Sequence, residues 1–185
     1  MAQVVELLTT RPWALLVWAA VGMCAGTLLR ALLGQTASRF AIVPRSAGGL
    51  VGVVTAPFLH GGLAHLLTNL PPFVVLGALV LRHGEHTFIK VALLIAFSSG
   101  LLVWLFARTA AHMGASGVVF GFFGYLVAYA YFHHAVADVV IAVFVVVVYG
   151  SMLAGIKPAR NGTSFEAHFF GLLAGIGVAW LDRAF

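Results

Sequence analysis

Six long apolar runs follow one another along the chain, separated by short stretches that carry the charges, prolines and most of the histidines. The runs lie at Trp13–Leu33, Leu63–Leu81, Phe88–Phe106, Ser116–Phe132, Val136–Ala154 and Phe165–Leu181. Each approaches the roughly 20 residues that a helix needs to cross a bilayer. Lipid offers no partner to a backbone amide, so each run is expected to be a helix. That holds even for "VVIAVFVVVVY", whose β-branched residues would favour a strand in water. Connections are short except for Gly34–Gly62, an apolar loop in which Pro44, Arg45, Gly48, Gly49 and Pro57 argue against a straight crossing. An interfacial or partly re-entrant segment is expected there. The fold class this predicts is an all-α membrane protein, a six-transmembrane-helix bundle with a long, partly membrane-embedded first loop. Residues 1–185 read as one domain.

An even number of spans puts both termini on one side and makes the second, fourth and sixth helices parallel. The polar residues that interrupt the apolar pattern stand at the starts of those three helices: His65 and Asn69, then Ser116, then His168. They are therefore expected at similar depth on one membrane face. From Ser116 to Phe132 a helix is about 25 Å long at about 1.5 Å per residue, short against about 30 Å of hydrocarbon. Ser116 is thus expected below the surface, in a recess open to water. Small residues every fourth position let membrane helices approach closely. Gly117 and Gly121, with Gly124 one turn on, form such a ridge on the fourth helix, and Ala167, Gly171 and Gly175 form one on the sixth. If the ridges face each other, Ser116 and His168 meet at the same end of the crossing, within reach of a hydrogen bond.

Composition sharpens this without changing it. Of 185 residues 62% are hydrophobic and 8% charged, with a formal charge of +5; a soluble domain carries about 25% charged residues. No basic stripe with interleaved aromatics supports nucleic-acid binding. Cys24 is alone, which excludes an intramolecular disulfide and a multi-cysteine metal site. The first apolar run lacks a small-residue cleavage site and reads as a retained span rather than a signal peptide. His60, His65 and His168 form the only histidine set worth weighing as a zinc site. The five-residue spacing of the first two and the lack of a carboxylate ligand argue against it, and no metal or cofactor is expected.

The chemistry these residues suit is acyl transfer. Serine needs a base to take its proton, and histidine titrates near the working pH. Glu166, two residues from His168, points about 200° away on a helix, so the pair is a dyad rather than a triad. The Ser116 N–H at a helix N-terminus, with His65 and Asn69 four apart on one face, are candidate donors to an oxyanion. Each residue also has a plainer reading. Ser116 would serve as a helix N-cap, His168 as a hydrogen-bonded core histidine, His65 and Asn69 as interhelical glue, and the glycines as packing. His60, His83, His86, His112, His133 and His134, at span edges or in loops, read as solvated or interfacial.

"FLHGGLAHLLTNL", "GASGVVFG" and "AHFFGLLAG" together resemble the rhomboid intramembrane serine proteases, in the order and spacing of that family and over nearly the whole chain. The resemblance implies a six-helix bundle whose water-filled recess cleaves peptide bonds in or near transmembrane segments of other membrane proteins. Its partners are therefore such substrates and the lipid bilayer, and its place is a bacterial plasma (inner) membrane. It implies Ser116 as nucleophile, His168 as general base, and His65, Asn69 and the Ser116 N–H as the oxyanion hole. It also implies that Gly114 keeps the loop before the serine compact, that His60 helps hold the long first loop, and that Phe120 packs on the catalytic histidine. The chain departs from the family at Pro71-Pro72, expected to kink the second helix. It departs again in lacking the first-loop Trp-Arg pair, of which Pro44-Arg45 is a partial echo, and the glutamate late in the second helix, where Leu81 and Arg82 stand. The family keeps its N-terminus in the cytoplasm. Arg11, Arg82, Lys90 and Arg183 on that side, against Arg30, Arg39, Arg45, Arg108, Lys157 and Arg160 on the other, lean against this orientation.

Overall fold

The computed structural model describes residues 13–158 and 164–183. Seven α-helices account for most of them: α1 (Trp13–Leu33), α2 (Val51–Thr55), α3 (Leu63–Leu81), α4 (Glu85–Phe106), α5 (Ser116–His133), α6 (Val136–Tyr149) and α7 (Phe165–Asp182). All but the short α2 belong to segments long and apolar enough to cross a membrane. The starts of α3, α5, α6 and α7 coincide with the apolar runs; Gly62 and Ser164 stand just before α3 and α7. The third span starts earlier than its apolar run: Glu85 opens α4, its carboxylate in the first turn, where the helix dipole favours negative charge. The fifth span ends differently from expectation, since α6 gives way at Gly150 to a 3₁₀ segment, Gly150–Ile156.

Pro71 and Pro72 do not end the second span; α3 continues through both. Each proline removes one i→i−4 bond, leaving the carbonyls of Leu67 and Thr68 without their usual donors. The first loop is built of short pieces: 3₁₀ turns at Gly34–Phe40, Gly48–Leu50 and Ala56–Phe58 around α2. It is pinned to the bundle by main-chain and arginine contacts. Ile42 and His112 exchange both backbone hydrogen bonds at 2.9 Å. Arg45 reaches the carbonyls of Leu105 and Ala107 at the end of α4 and the Thr109 hydroxyl, while Trp104 donates its indole N–H to the Ser46 carbonyl. The tryptophan that steadies this loop thus comes from α4 rather than from the loop itself.

The core forms around α5, most of which is buried, whereas the fifth span is largely exposed on the outside of the bundle. Leu76, Val91, Ile95, Phe122, Tyr125 and Val145 are fully buried in one cluster. Without a hydrophobic driving force between helices in lipid, association rests on close packing, and α5 and α7 have the material for it. A Cβ at Gly171 would stand 2.2 Å from the Gly117 carbonyl oxygen, and one at Gly175 1.9 Å from that of Gly121. Only hydrogen fits between these backbones. At the end of the bundle away from His65 and Ser116, Arg82 pairs with Asp138 and Lys90 with Asp182. Tyr125 donates to Asp182 at 2.8 Å, which ties α3 to α6 and α4 to α5 and α7.

Candidate active site

The starts of α3, α5 and α7 and the end of α1 enclose a cavity of about 910 Å³. Its walls include His65, Asn69, Ser116, Phe120 and His168, together with Arg30, Pro72, Tyr149, Met152 and Gly155. Four polar residues from three separate spans therefore face one space.

Ser116 is the first residue of α5. The N-cap is Ala115, and no side chain caps the helix. The serine hydroxyl therefore does not serve the backbone role its position suggested, and among the described residues it has no hydrogen-bond partner. The loop before it turns sharply at Gly114, whose φ of +118° is a conformation side chains rarely adopt. A Cβ there would also lie 2.7 Å from His65 Cε1. The Gly114 N–H donates to the Ala56 carbonyl at 2.9 Å, fastening the serine loop to the first loop.

The ring tautomers follow from their partners. His168 donates Nδ1–H to the Gly155 carbonyl at 2.9 Å, which leaves Nε2 with its lone pair. Phe120 stacks on the same ring, with centroids 4.3 Å apart and planes within 5° of parallel. The expected hydrogen bond between Ser116 and His168 is not formed among the described residues; the two side chains share the cavity without touching through one. Catalytic hydrogen bonds often tighten only once substrate is bound. Glu166 points away from His168 to Arg108, 3.5 Å off, and is buried there.

His65 accepts the Gly61 N–H at Nδ1, 3.2 Å away, so the neutral ring carries its proton on Nε2, the nitrogen that faces Gly114. Asn69 donates one amide hydrogen to the His65 carbonyl at 2.7 Å, keeping the other. Three donors are then available around one space: His65 Nε2–H, Asn69 Nδ2–H and the Ser116 N–H, which as a first-turn amide has no partner within its helix.

Two histidines whose place at span edges or in loops suggested a solvated or interfacial role are buried instead. His60 has no exposed surface. It accepts the Ala115 N–H at Nε2 (3.3 Å) and, with its proton on Nδ1, bonds the Thr27 hydroxyl at 3.1 Å. Thr27 in turn donates to the Met23 carbonyl at 2.7 Å. This chain of bonds joins α1 to the residue just before Ser116. Burial, with His65 nearby, lowers the His60 pKa to about 4, so the ring stays neutral. His112 is buried between the Arg108 carbonyl and the Ser164 hydroxyl, and Ser164 caps α7 through the Ala167 N–H. His86, His133 and His134 are exposed, and His83 stacks on Tyr129. Gly155, Thr27 and Ser164 carried no signal of their own, because each acts on a histidine distant in sequence or through a carbonyl that every residue has.

Among the described residues no three His, Cys, Asp or Glu side chains could hold a metal ion. His60 and His65 meet edge to face at 5.3 Å, with His60 spent on Thr27 and Ala115. Of the cations that weighed against the family orientation, Arg160 lies outside the described residues, and Arg45 and Arg108 are engaged within the protein.

Comparison with known proteins adds a family. The model of the Rhomboid domain matches residues 47–185. An uncharacterized protein of Mycobacterium tuberculosis is 34% identical over 166 residues, 85% of this chain and 69% of its own. One of Mycobacterium leprae is 31% identical over 144 residues, covering 73% and 57%. RHOMBOID-like protein 4 of Arabidopsis thaliana is 30% identical over 129 residues, 66% of this chain and 32% of the plant protein.

Proposed function

The chain belongs to the rhomboid family and is a multi-pass membrane protein, and from that premise we propose that it is an intramembrane serine endopeptidase built as one catalytic domain. In this reading Ser116 Oγ attacks a substrate carbonyl while His168 Nε2 takes the hydroxyl proton. The oxyanion that forms is met by the N–H groups of His65, Asn69 and Ser116. Collapse of the tetrahedral species breaks the C–N bond, and the imidazolium returns its proton to the departing amine. Water then repeats the sequence on the acyl-enzyme and frees Ser116. The observation that supports the reading is the His168 tautomer: its Nδ1–H is spent on Gly155, so in the neutral ring the nitrogen left over is a proton acceptor. Substrates would be transmembrane segments of other proteins. The site would open on the face away from the N-terminus, in a bacterial plasma membrane, in keeping with the mycobacterial relatives.

The test is labelling of purified protein by an active-site fluorophosphonate, with cleavage of a transmembrane reporter alongside. Wild type is expected to label and to cleave, and Ser116→Ala to do neither. Labelling that survives Ser116→Ala refutes the nucleophile. Cleavage that fails in wild type, or persists in His168→Ala, refutes the dyad; the first result leaves a rhomboid-like protein that binds membrane clients without turnover.

A further inference from the structure

The charge of the cavity wall is one-sided. Among the described residues Arg30, His65, Arg108, His112 and His168 line it, and no Asp or Glu does. Most of these groups are committed. His65 and His168 hold the tautomers set by Gly61 and Gly155, His112 is used at both nitrogens, and Arg108 faces Glu166. Arg30 is different. Its Nε–H points to the Met113 sulfur at 3.3 Å, a weak acceptor, and it pairs with no carboxylate among the described residues.

An arginine at the end of a membrane helix ordinarily extends toward lipid phosphates. Arg30 turns the other way. Met113 belongs to the loop that carries Ser116, and Arg30 and His65 line the same cavity. The charge is thus directed into the cavity, beside a proposed oxyanion donor, and only half-buried, so a ligand can still reach it.

Resting on the protease reading, we propose that Arg30 selects membrane-protein substrates that carry Asp or Glu next to the scissile bond, by pairing with that carboxylate. A guanidinium offers a planar pair of donors matched to a carboxylate, and an isosteric amide on the substrate would forfeit the charge while keeping the shape.

The experiment uses the full chain in detergent and a panel of single-span peptides sharing one apolar segment. One juxtamembrane position at a time is Asp, Asn or Lys. For wild type, kcat/KM at one or two positions is expected to favour Asp over Asn about five- to tenfold, the range of a partly exposed ion pair with charge-assisted bonds. Arg30→Gln is expected to bring that ratio to about one, Arg30→Lys to keep part of it, and Arg30→Glu to turn the preference toward Lys. Each variant is read as a ratio between peptides, so partial loss of folded protein does not mimic the result. An Asp/Asn ratio near one in wild type, or one unchanged in Arg30→Gln, overturns the proposal. So does an Arg30→Gln effect seen only as altered dependence on anionic lipid in vesicles with and without phosphatidylglycerol, which would assign the arginine to headgroups. If no peptide is cleaved, the protease reading is what fails. Anisotropy of the same labelled peptides on Ser116→Ala then decides the proposal, equal affinity for Asp and Asn refuting it.

Discussion

Adding one methyl group to Gly171 is expected to disable the site without touching any of its side chains. The new Cβ would lie 2.2 Å from the Gly117 carbonyl oxygen, 2.8 Å from its carbon and 2.9 Å from its Cα. All three are main-chain atoms of α5, so no rotamer change relieves the clash. Ordinary contact requires α5 and α7 to part by roughly 1.2 Å at this level. Ser116 is the residue before Gly117, and His168 is one turn before Gly171 on the neighbouring helix. The separation is therefore delivered almost whole to the serine–histidine distance. A misplacement of about 1 Å costs a reaction about 100-fold, or about 2.7 kcal/mol on the barrier, and overpacking costs about 1–3 kcal/mol of stability. Gly177→Ala is the matched control, since a Cβ there meets nothing within 4 Å. The assay is turnover of a transmembrane reporter, with fluorophosphonate labelling rate and thermal unfolding measured on the same samples. Gly171→Ala should lose about two orders of magnitude in turnover and unfold at lower temperature, while Gly177→Ala should match wild type. A Gly171→Ala protein within threefold of wild-type turnover would show that the helix crossing does not set the dyad geometry.

Three further outcomes follow from the described contacts. Gly155→Ala would put a Cβ 2.9 Å from His168 Nδ1 and should lower kcat about tenfold with little change in unfolding temperature; an unchanged kcat would mean that the ring is held by Phe120 alone. His60 has a pKa of about 4 in the fold against about 6.5 when unfolded, so the unfolded chain binds the extra proton and stability falls as pH drops from about 6.5 toward 4, by up to about 3 kcal/mol. His60→Gln, which keeps a donor and an acceptor but does not titrate, should flatten the dependence of unfolding temperature on pH over that range, and an identical slope would contradict the assignment. Arg45→Gln loses bonds to Leu105, Ala107 and Thr109 and should cost about 1–2 kcal/mol, with faster proteolysis in the first loop than elsewhere; uniform proteolysis would place its effect outside that loop.

The six spans were legible because a bilayer leaves the chain little choice: a run of about 20 apolar residues must satisfy its own amides. The end of α1 and both limits of α3 were therefore readable to the residue. The glycine ridges were readable for a related reason, since a residue lacking a side chain every fourth position records where another backbone passes. The first loop was not readable. Its path depends on Arg45 and Trp104 finding main-chain carbonyls that leave no mark in the sequence. His112 was misjudged for the same reason, and the burial of His60, whose part in holding the first loop only the family resemblance suggested, was likewise decided by Thr27 and Ala115, residues whose identities announce nothing at that distance.

The bond from His168 to Gly155 has a consequence for genetics. A carboxylate in that place would be a heritable target, removable by one codon change and visible as a fixed letter among relatives. A peptide carbonyl is neither. No substitution deletes it; a change at Gly155 acts only through the Cβ it brings against the ring. If the protease reading holds, a survey that replaced each side chain in turn would meet this third participant only as clashes beside it, never as its loss.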